Sequence, residues 1–318
     1  MDVFALREQV VGEYRDYVES FINILDDRIN LFVQQELDKG ELWPEAVLQL
    51  NPAYERGDTV GALAYRGLIT NETARFFGRD IRLHRHQQQA LEISARHEPF
   101  VVSTGTGSGK SLTYLIPIFD HVIRNQPERH SVRAIIVYPM NALINSQLTA
   151  LEHFREKNWA GCPVRFAKYT GEVRDEQREE IINDPPHILL TNYVMLEYML
   201  IRPYERALLA QATRELRYLV MDELHVYRGR QGADVAMLMR RLRQKAGRDL
   251  SVIGTSATIA SEGTREERLG RIADVGSTLF GVPIPAANVV DESLRRVAKL
   301  AVPATREELR EAVEMPSP

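Results

Sequence analysis

The sequence predicts an α/β fold: a parallel sheet flanked by helices, with a helical extension at the amino terminus. Three observations carry this. From about residue 80 onward, short apolar runs alternate with amphipathic segments, the order that builds parallel strands joined by helical crossovers. Two of the runs, Ala134-Ile135-Ile136-Val137 and Tyr218-Leu219-Val220-Met221, show no polar alternation, as expected of strands covered on both faces. The stretch Thr104–Ser111 reads T-G-T-G-S-G-K-S and directly follows Phe100-Val101-Val102, which places a glycine-rich turn between a strand and a helix.

Residues 1–40 are expected to be helical, because Val10, Tyr14, Tyr17, Phe21 and Leu25 form one apolar stripe at helical spacing. Gly40 and Trp43-Pro44 end that element, and Asn51-Pro52 and Arg56-Gly57-Asp58 mark loops. Residues 59–79 suggest a second, shorter helical piece, so residues 1–79 form an amino-terminal helical region. The main domain is expected over 80–285. Its strands are Phe100–Ser103, Ala134–Tyr138, Val164–Lys168, His187–Thr191, Tyr218–Met221 and Ser251–Gly254, with helices such as Asn141–Phe154 and Gly232–Lys245 between them. Residues 286–318 are expected to form a helical segment or linker.

The 318 residues suffice for one large or two modest domains, and 44% hydrophobic with 26% charged residues is ordinary for a globular protein. The net charge of −4 gives no global basicity, so a nucleic-acid surface must be local. The single cysteine, Cys162, excludes an intramolecular disulfide and suggests a reducing compartment. The amino terminus lacks the basic and apolar regions of a signal peptide, and no apolar stretch is long enough to span a bilayer. A cytoplasmic protein without a membrane partner is the expectation. No Cys/His cluster has metal-ligand spacing, so no structural zinc is expected.

The chemistry concentrates in two places. In the loop Thr104, Gly105, Thr106, Gly107, Ser108, Gly109, Lys110 and Ser111, backbone N–H groups and a helix amino terminus suit a phosphate. Lys110 suits the β/γ-phosphates, and the Ser111 hydroxyl suits Mg²⁺. The strict pattern has Gly where this chain has Thr104, which disfavours a GTPase. Asp222 and Glu223 then end an apolar strand, the arrangement by which an ATPase holds Mg²⁺ (Asp222) and orients and deprotonates the attacking water (Glu223). Asp222 lies 112 residues after Lys110, and Ser256 lies 34 residues after Asp222.

With these gaps, residues 83–258 resemble the first RecA-like lobe of a superfamily-two DEAD/DEAH-box helicase. Leu83–Gln87 resembles the adenine-reading Q motif, with Gln87 in the glutamine position. Ser103–Ser111 resembles motif I, Tyr138–Leu143 motif Ia, Tyr169–Glu172 motif Ib, and Thr191-Asn192 the short motif that follows. Asp222–His225, reading D-E-L-H, resembles motif II, and Ser256-Ala257-Thr258 motif III. The resemblance implies that His225, Ser256 and Thr258 couple the nucleotide site to a nucleic-acid track. It also implies that Pro139, Asn141, Thr170, Gly171, Thr191 and Asn192 contact one strand's backbone without reading sequence. ATP and Mg²⁺ are the implied cofactors, and single-stranded DNA, ahead of RNA, the implied partner.

The segment Tyr227-Arg228-Gly229, the helix ending Arg240-Arg241-Leu242-Arg243, Leu42-Trp43-Pro44 and Leu48–Pro52 narrow the resemblance. They look like large bacterial helicases related to zinc-domain-containing repair helicases and to phage-defence helicases of the DISARM and Druantia type, which adds defence-complex subunits as partners. Such motors use a second RecA-like lobe, and only 60 residues follow Thr258 where about 150 would be needed. The expectation is therefore a fragment or truncated version of a longer helicase, with the second lobe in the same polypeptide or in trans. The alternative is a nucleotide-regulated nucleic-acid-binding or assembly module without unwinding activity of its own. A ring-forming ATPase fits the motif spacing less well.

Overall fold

The computed structural model describes residues 3–22, 24–39, 53–105, 107–125, 131–247, 249–257 and 263–295. Thr106, Thr258, Gly40, the Trp43-Pro44 and Leu48–Pro52 features and the segment 296–318 lie outside the described residues. The chain divides into two compact units, 1–52 and 53–318.

The first unit holds helices α1 (Val3–Glu19) and α2 (Asp27–Asp38). The apolar stripe runs on through Phe21 and Leu25, but the helix does not. Asp26 adopts an extended backbone and its carboxylate accepts from the Arg28 and Ile29 amides, which starts a new helix. A local cap thus overrides a continuous periodicity.

The second unit begins with β1 (Arg56–Thr59), α3 (Val60–Tyr65), α4 (Asn71–Phe77), β2 (Arg82–His84) and α5 (Arg85–Ala95). β1 and β2 form an antiparallel ribbon, so Arg56-Gly57-Asp58, read as a loop from its composition, is a strand. Gly57 fits closely there: a Cβ would lie 2.9 Å from Gln88 Oε1 and 3.3 Å from the Leu83 and His84 carbonyls. Residues 53–79 pack with the sheet: Leu63, Phe76 and Phe77 share a core with Phe119 and Leu151. Phe76 stacks on Phe119 with centroids 4.4 Å apart.

The remaining elements alternate: β3 (Phe100–Ser103), α6 (Ser111–Asn125), β4 (Ala134–Tyr138), α7 (Asn141–Asn158), β5 (Phe166–Tyr169), α8 (Asp175–Asn183), β6 (Ile188–Asn192), α9 (Tyr193–Ile201), α10 (Pro203–Glu215), β7 (Tyr218–Met221), α11 (Gly229–Ala246), β8 (Ser251–Ser256), α12 (Arg265–Phe280) and β9 (Val289–Asp291). They form one seven-stranded sheet in the order β5-β6-β4-β7-β8-β3-β9, in which every pairing is parallel. All six expected strands are present. The seventh, β9, has only three residues, too short for a periodicity to mark it.

The unalternating runs are explained by the two-residue period of a strand. Ala134, Ile136 and Tyr138 enter one core with Phe119 and Leu151, while Ile135 and Val137 enter the other with Met199, Leu208 and Met239. Both faces are covered, so both sets are apolar. Among the described residues no helix is long and apolar enough to cross a membrane.

Gly254 on β8 lets the functional end of β7 close down. A Cβ there would lie 2.5 Å from Leu224 Cδ1 and 3.3 Å from Phe280 Cε2, and Leu224 sits inside the D-E-L-H turn. Gly254→Ala is expected to lower stability by about 1–3 kcal/mol through overpacking, read from the shift of a chemical denaturation midpoint. An unchanged midpoint would show that Leu224 can move aside.

Candidate active site

Apart from Gln87, which lies on α5, the described chemistry-bearing positions lie at or just beyond the carboxyl ends of the parallel strands, where open α/β sheets bind ligands. The glycine-rich loop leaves β3 and enters α6 at Ser111. Gly107 and Gly109 have φ of 76° and 74°, backbone states that suit glycine. A Cβ at Gly109 would also meet Gln87 Nε2 at 2.5 Å and displace that side chain. Gln87 donates to the Gly109 carbonyl at 2.9 Å, and its Oε1 accepts from the His84 amide at 2.8 Å. Gln87 therefore braces the loop in this structure. His86 Nε2 bonds the Ser108 carbonyl at 3.1 Å; a carbonyl only accepts, so Nε2 carries the proton. Burial holds the His86 imidazole below its ordinary pKa, which keeps it neutral. Inside the loop the Thr104 and Ser108 hydroxyls bond each other at 2.6 Å.

Lys110 is 9% exposed. Its Nζ donates to the Thr104 carbonyl at 3.1 Å and lies 3.8 Å from Glu223 Oε1. Those partners leave capacity on the ammonium for an anionic ligand. The loop's amides, this buried cation and the start of α6 fit a polyphosphate. The Ser111 hydroxyl and the Asp222 carboxylate are oxygen donors of the kind a hard divalent cation takes.

β8 lies between β7 and β3 and joins the two acids to the loop. The Thr255 hydroxyl, fully buried, donates to Asp222 Oδ1 and accepts from the Glu223 amide at 3.2 Å. Glu223 has a left-handed backbone, φ 55° and ψ 55°, a conformation that costs a non-glycine residue about 1 kcal/mol or more. This turn aims its carboxylate back toward Lys110. Glu223 Oε2 accepts from the Ala257 amide at 3.2 Å and lies 3.2 Å from His225 Nδ1. His225 Nδ1 is also 3.2 Å from Ser256 Oγ, and the Thr104 amide donates to the Ser256 carbonyl. Glu223, His225, Ser256 and the loop thus form one connected network. Thr255 was not among the residues singled out from the sequence; its only signal there was its place before S-A-T.

The positions expected to face nucleic acid cluster at the ends of β4, β5 and β6. Pro139 follows β4 and Asn141 opens α7. Thr170 and Gly171 follow β5, and Thr191 and Asn192 end β6. Asn192 caps α9 by accepting from the Met195 amide at 2.8 Å and donates to Asn141 Oδ1 at 2.8 Å; Asn141 donates to Glu172 at 2.9 Å. Thr191 is buried and donates its hydroxyl to the Tyr169 carbonyl at 2.7 Å, so its side chain serves the sheet. Thr170 is also buried, whereas Gly171 is exposed. Arg178, which the sequence did not mark, holds this turn by donating to the Thr170 and Gly171 carbonyls, each at 3.2 Å.

Burial raises the Asp222 carboxyl from 3.8 to about 6, with the Glu223 charge adding and the Thr255 hydrogen bond opposing. The folded state therefore holds the proton more tightly than the unfolded chain. Stability falls as pH rises from about 4 through 6, and the full penalty stands above 6. Asp222→Asn keeps the acceptor oxygen and removes the charge. It is expected to stabilise the ligand-free protein by about 1–3 kcal/mol at pH 8, a gain that vanishes below pH 4 in denaturation curves taken across pH.

A family model described as DEAD/DEAH box helicase matches residues 84–266. The Druantia protein DruE of Escherichia coli is 28% identical over 72% of this chain and 19% of its own length. The uncharacterized ATP-dependent helicase MJ1574 of Methanocaldococcus jannaschii is 33% identical over 56% of this chain and 26% of its own. The ATP-dependent helicase hrq1 of Schizosaccharomyces pombe is 29% identical over 70% and 20%. Among solved structures, DUF1998 helicase MrfA bound to DNA superposes with a TM-score of 0.62 at 27% identity, covering 81% of this chain and 34% of that one. The chain thus spans about a fifth to a quarter of these curated relatives. The family match takes in more than half of the chain, including the phosphate loop, the D-E-L-H turn and the end of β8: the chain belongs to the DEAD/DEAH box helicase family.

Proposed function

We propose that this chain is the ATP-binding lobe of an ATP-driven helicase or translocase that tracks along a single strand of DNA. The observation that carries the proposal is the joining of Lys110, Asp222 and Glu223 through β8, with the Thr255 hydroxyl on both acids' residues. Lys110 and the loop amides bind the phosphates, and Gln87 stands beside the loop as the adenine reader. Ser111 and Asp222 would hold Mg²⁺, which when bound neutralises charge on the phosphate oxygens. Glu223 orients the attacking water and takes its proton. His225 and Ser256 carry the change at Glu223 toward the Pro139, Asn141, Gly171 and Asn192 edge, where phosphate contacts position a strand without reading its sequence.

The preference for DNA is supported by the likeness to the DNA-bound MrfA structure. A role in a defence complex is supported by the likeness to DruE. We further propose that a second RecA-like lobe completes the site, in a longer polypeptide or from another chain, and that the protein works in the cytoplasm. Groups reaching the γ-phosphate from such a lobe are worth about 10³–10⁵ in rate. The 318-residue chain alone is therefore expected to bind ATP, hydrolyse it slowly and unwind nothing.

The test is nucleotide binding and ATP turnover, with and without single-stranded DNA or RNA, beside Lys110→Ala and Glu223→Gln. Expected are binding that Lys110→Ala weakens at least tenfold, a hydrogen bond or two to a charged ligand, and slow turnover that Glu223→Gln abolishes, with DNA stimulating more than RNA. No nucleotide binding would overturn the reading. Strong unwinding by this chain alone would overturn the need for a second lobe.

A further inference from the structure

The phosphate loop is braced at both ends, and the sequence motifs account for only one. At its far end, His86 and Gln87 hold the Ser108 and Gly109 carbonyls. At its near end, the Gly105 amide donates to Glu292 Oε2 at 3.0 Å, across 187 positions of sequence. Glu292 lies in no motif, and it reaches the loop because of strand register. β9 pairs in parallel with β3, Val101 opposite Val289 and Ser103 opposite Asp291, so the residue after Asp291 emerges beside the start of the loop. Alternation then separates the two acids. Asp291 pairs with Arg265 of α12 through two contacts of 2.7 and 2.8 Å, and Glu292 turns to Gly105.

The backbone on either side of Glu292 is held as well. Tyr54 bridges Leu294 in antiparallel fashion, the Glu55 amide donates to the Ser293 carbonyl at 2.7 Å, and the Arg295 amide to the Ala53 carbonyl at 2.7 Å. The Tyr54 ring lies against His84 and His86, with centroids 5.0 and 5.4 Å apart. Its hydroxyl and the Glu292 carboxylate close over Gly105, where a Cβ would meet Tyr54 Oη at 3.3 Å and Glu292 Oε2 at 3.4 Å. The circuit from β9 through the loop to His86 and Tyr54 therefore returns to the backbone that carries Glu292.

We propose that Glu292 is a positioning residue for the nucleotide site: its carboxylate holds the Gly105 amide and, through it, the conformation of the phosphate loop, with residues 53–55 clamping Glu292 in place. In this role Glu292 acts through the Gly105 amide. A preorganised loop saves the ordering that a ligand would otherwise have to impose. The inference rests on the proposed nucleotide site, but its physical core, a loop held by a carboxylate, is testable without any nucleotide.

The experiment compares Glu292→Ala and Glu292→Gln with the unaltered chain by two readouts. The first is amide hydrogen exchange of the loop peptide, residues 103–110, without nucleotide. The second is titration with a fluorescent ADP analogue. Glu292→Ala is expected to speed loop exchange and weaken ADP binding by about tenfold, the scale of one charge-assisted hydrogen bond, while exchange in β4 and β7 stays unchanged. Glu292→Gln keeps an acceptor oxygen and is expected to fall between the two in both readouts. Loop exchange in Glu292→Ala equal to the unaltered chain overturns the proposal, as does acceleration spread over the whole sheet, which would make Glu292 a general structural residue. Tighter ADP binding in Glu292→Ala overturns it too, because the carboxylate would then be acting as a plug. If the unaltered chain binds no ADP, the nucleotide reading fails while the exchange result still decides whether Glu292 holds the loop.

Discussion

The parallel register of β7, β8 and β3 is the constraint on which the site depends. Met221 lies opposite Gly254 and Ser256 opposite Ser103, so Asp222, Thr255 and Thr104 emerge from neighbouring strands at nearly one level. A slip of one residue would turn every side chain to the opposite face. Thr255 would then point away from Asp222, and the Ser256 carbonyl would lose the Thr104 amide. The two apolar cores, each filled by alternate residues of the same strands, hold this register, because a slipped strand would exchange the residues of one core with those of the other.

What the register brings together is electrostatically costly and is offset locally. Two adjacent carboxylates sit beside one lysine, and burial, with the Glu223 charge adding to it, raises the Asp222 pKa. The Thr255 hydroxyl on Asp222 and the Ala257 amide on Glu223 are charge-assisted hydrogen bonds, about 1.5–3 kcal/mol each. The left-handed backbone at Glu223 is a further local cost, and it is what directs that carboxylate to Lys110 and His225. Strain and desolvation thus collect where a polyphosphate and a cation would relieve them, as expected of a binding site and not of a scaffold.

The amino-terminal part of the second unit serves the site more than its composition suggested. β1 and β2 support α5, and α5 delivers His86 and Gln87 to the loop carbonyls. Tyr54, one residue ahead of the Glu55 contact to Ser293, packs on His84 and His86. The ribbon at 56–59 was unreadable as a strand because Arg-Gly-Asp is turn-forming chemistry. It forms because tertiary pairing with Arg82–His84 outweighs local preference.

The sequence by itself determined the six long strands of the parallel sheet and the motifs at their ends. Two-sided apolar runs define buried parallel strands, and T-G-T-G-S-G-K-S with D-E-L-H defines a phosphate loop and an acidic pair, because each depends on residues adjacent along the chain. Tertiary structure alone decided which strands are neighbours. It placed Thr255 on Asp222, spent the Thr191 hydroxyl inside the sheet, brought Arg178 onto the Thr170-Gly171 turn and carried Glu292 to Gly105. Each of these is a contact between segments far apart in sequence, set by strand order and register, and no spacing along the chain encodes such a distance.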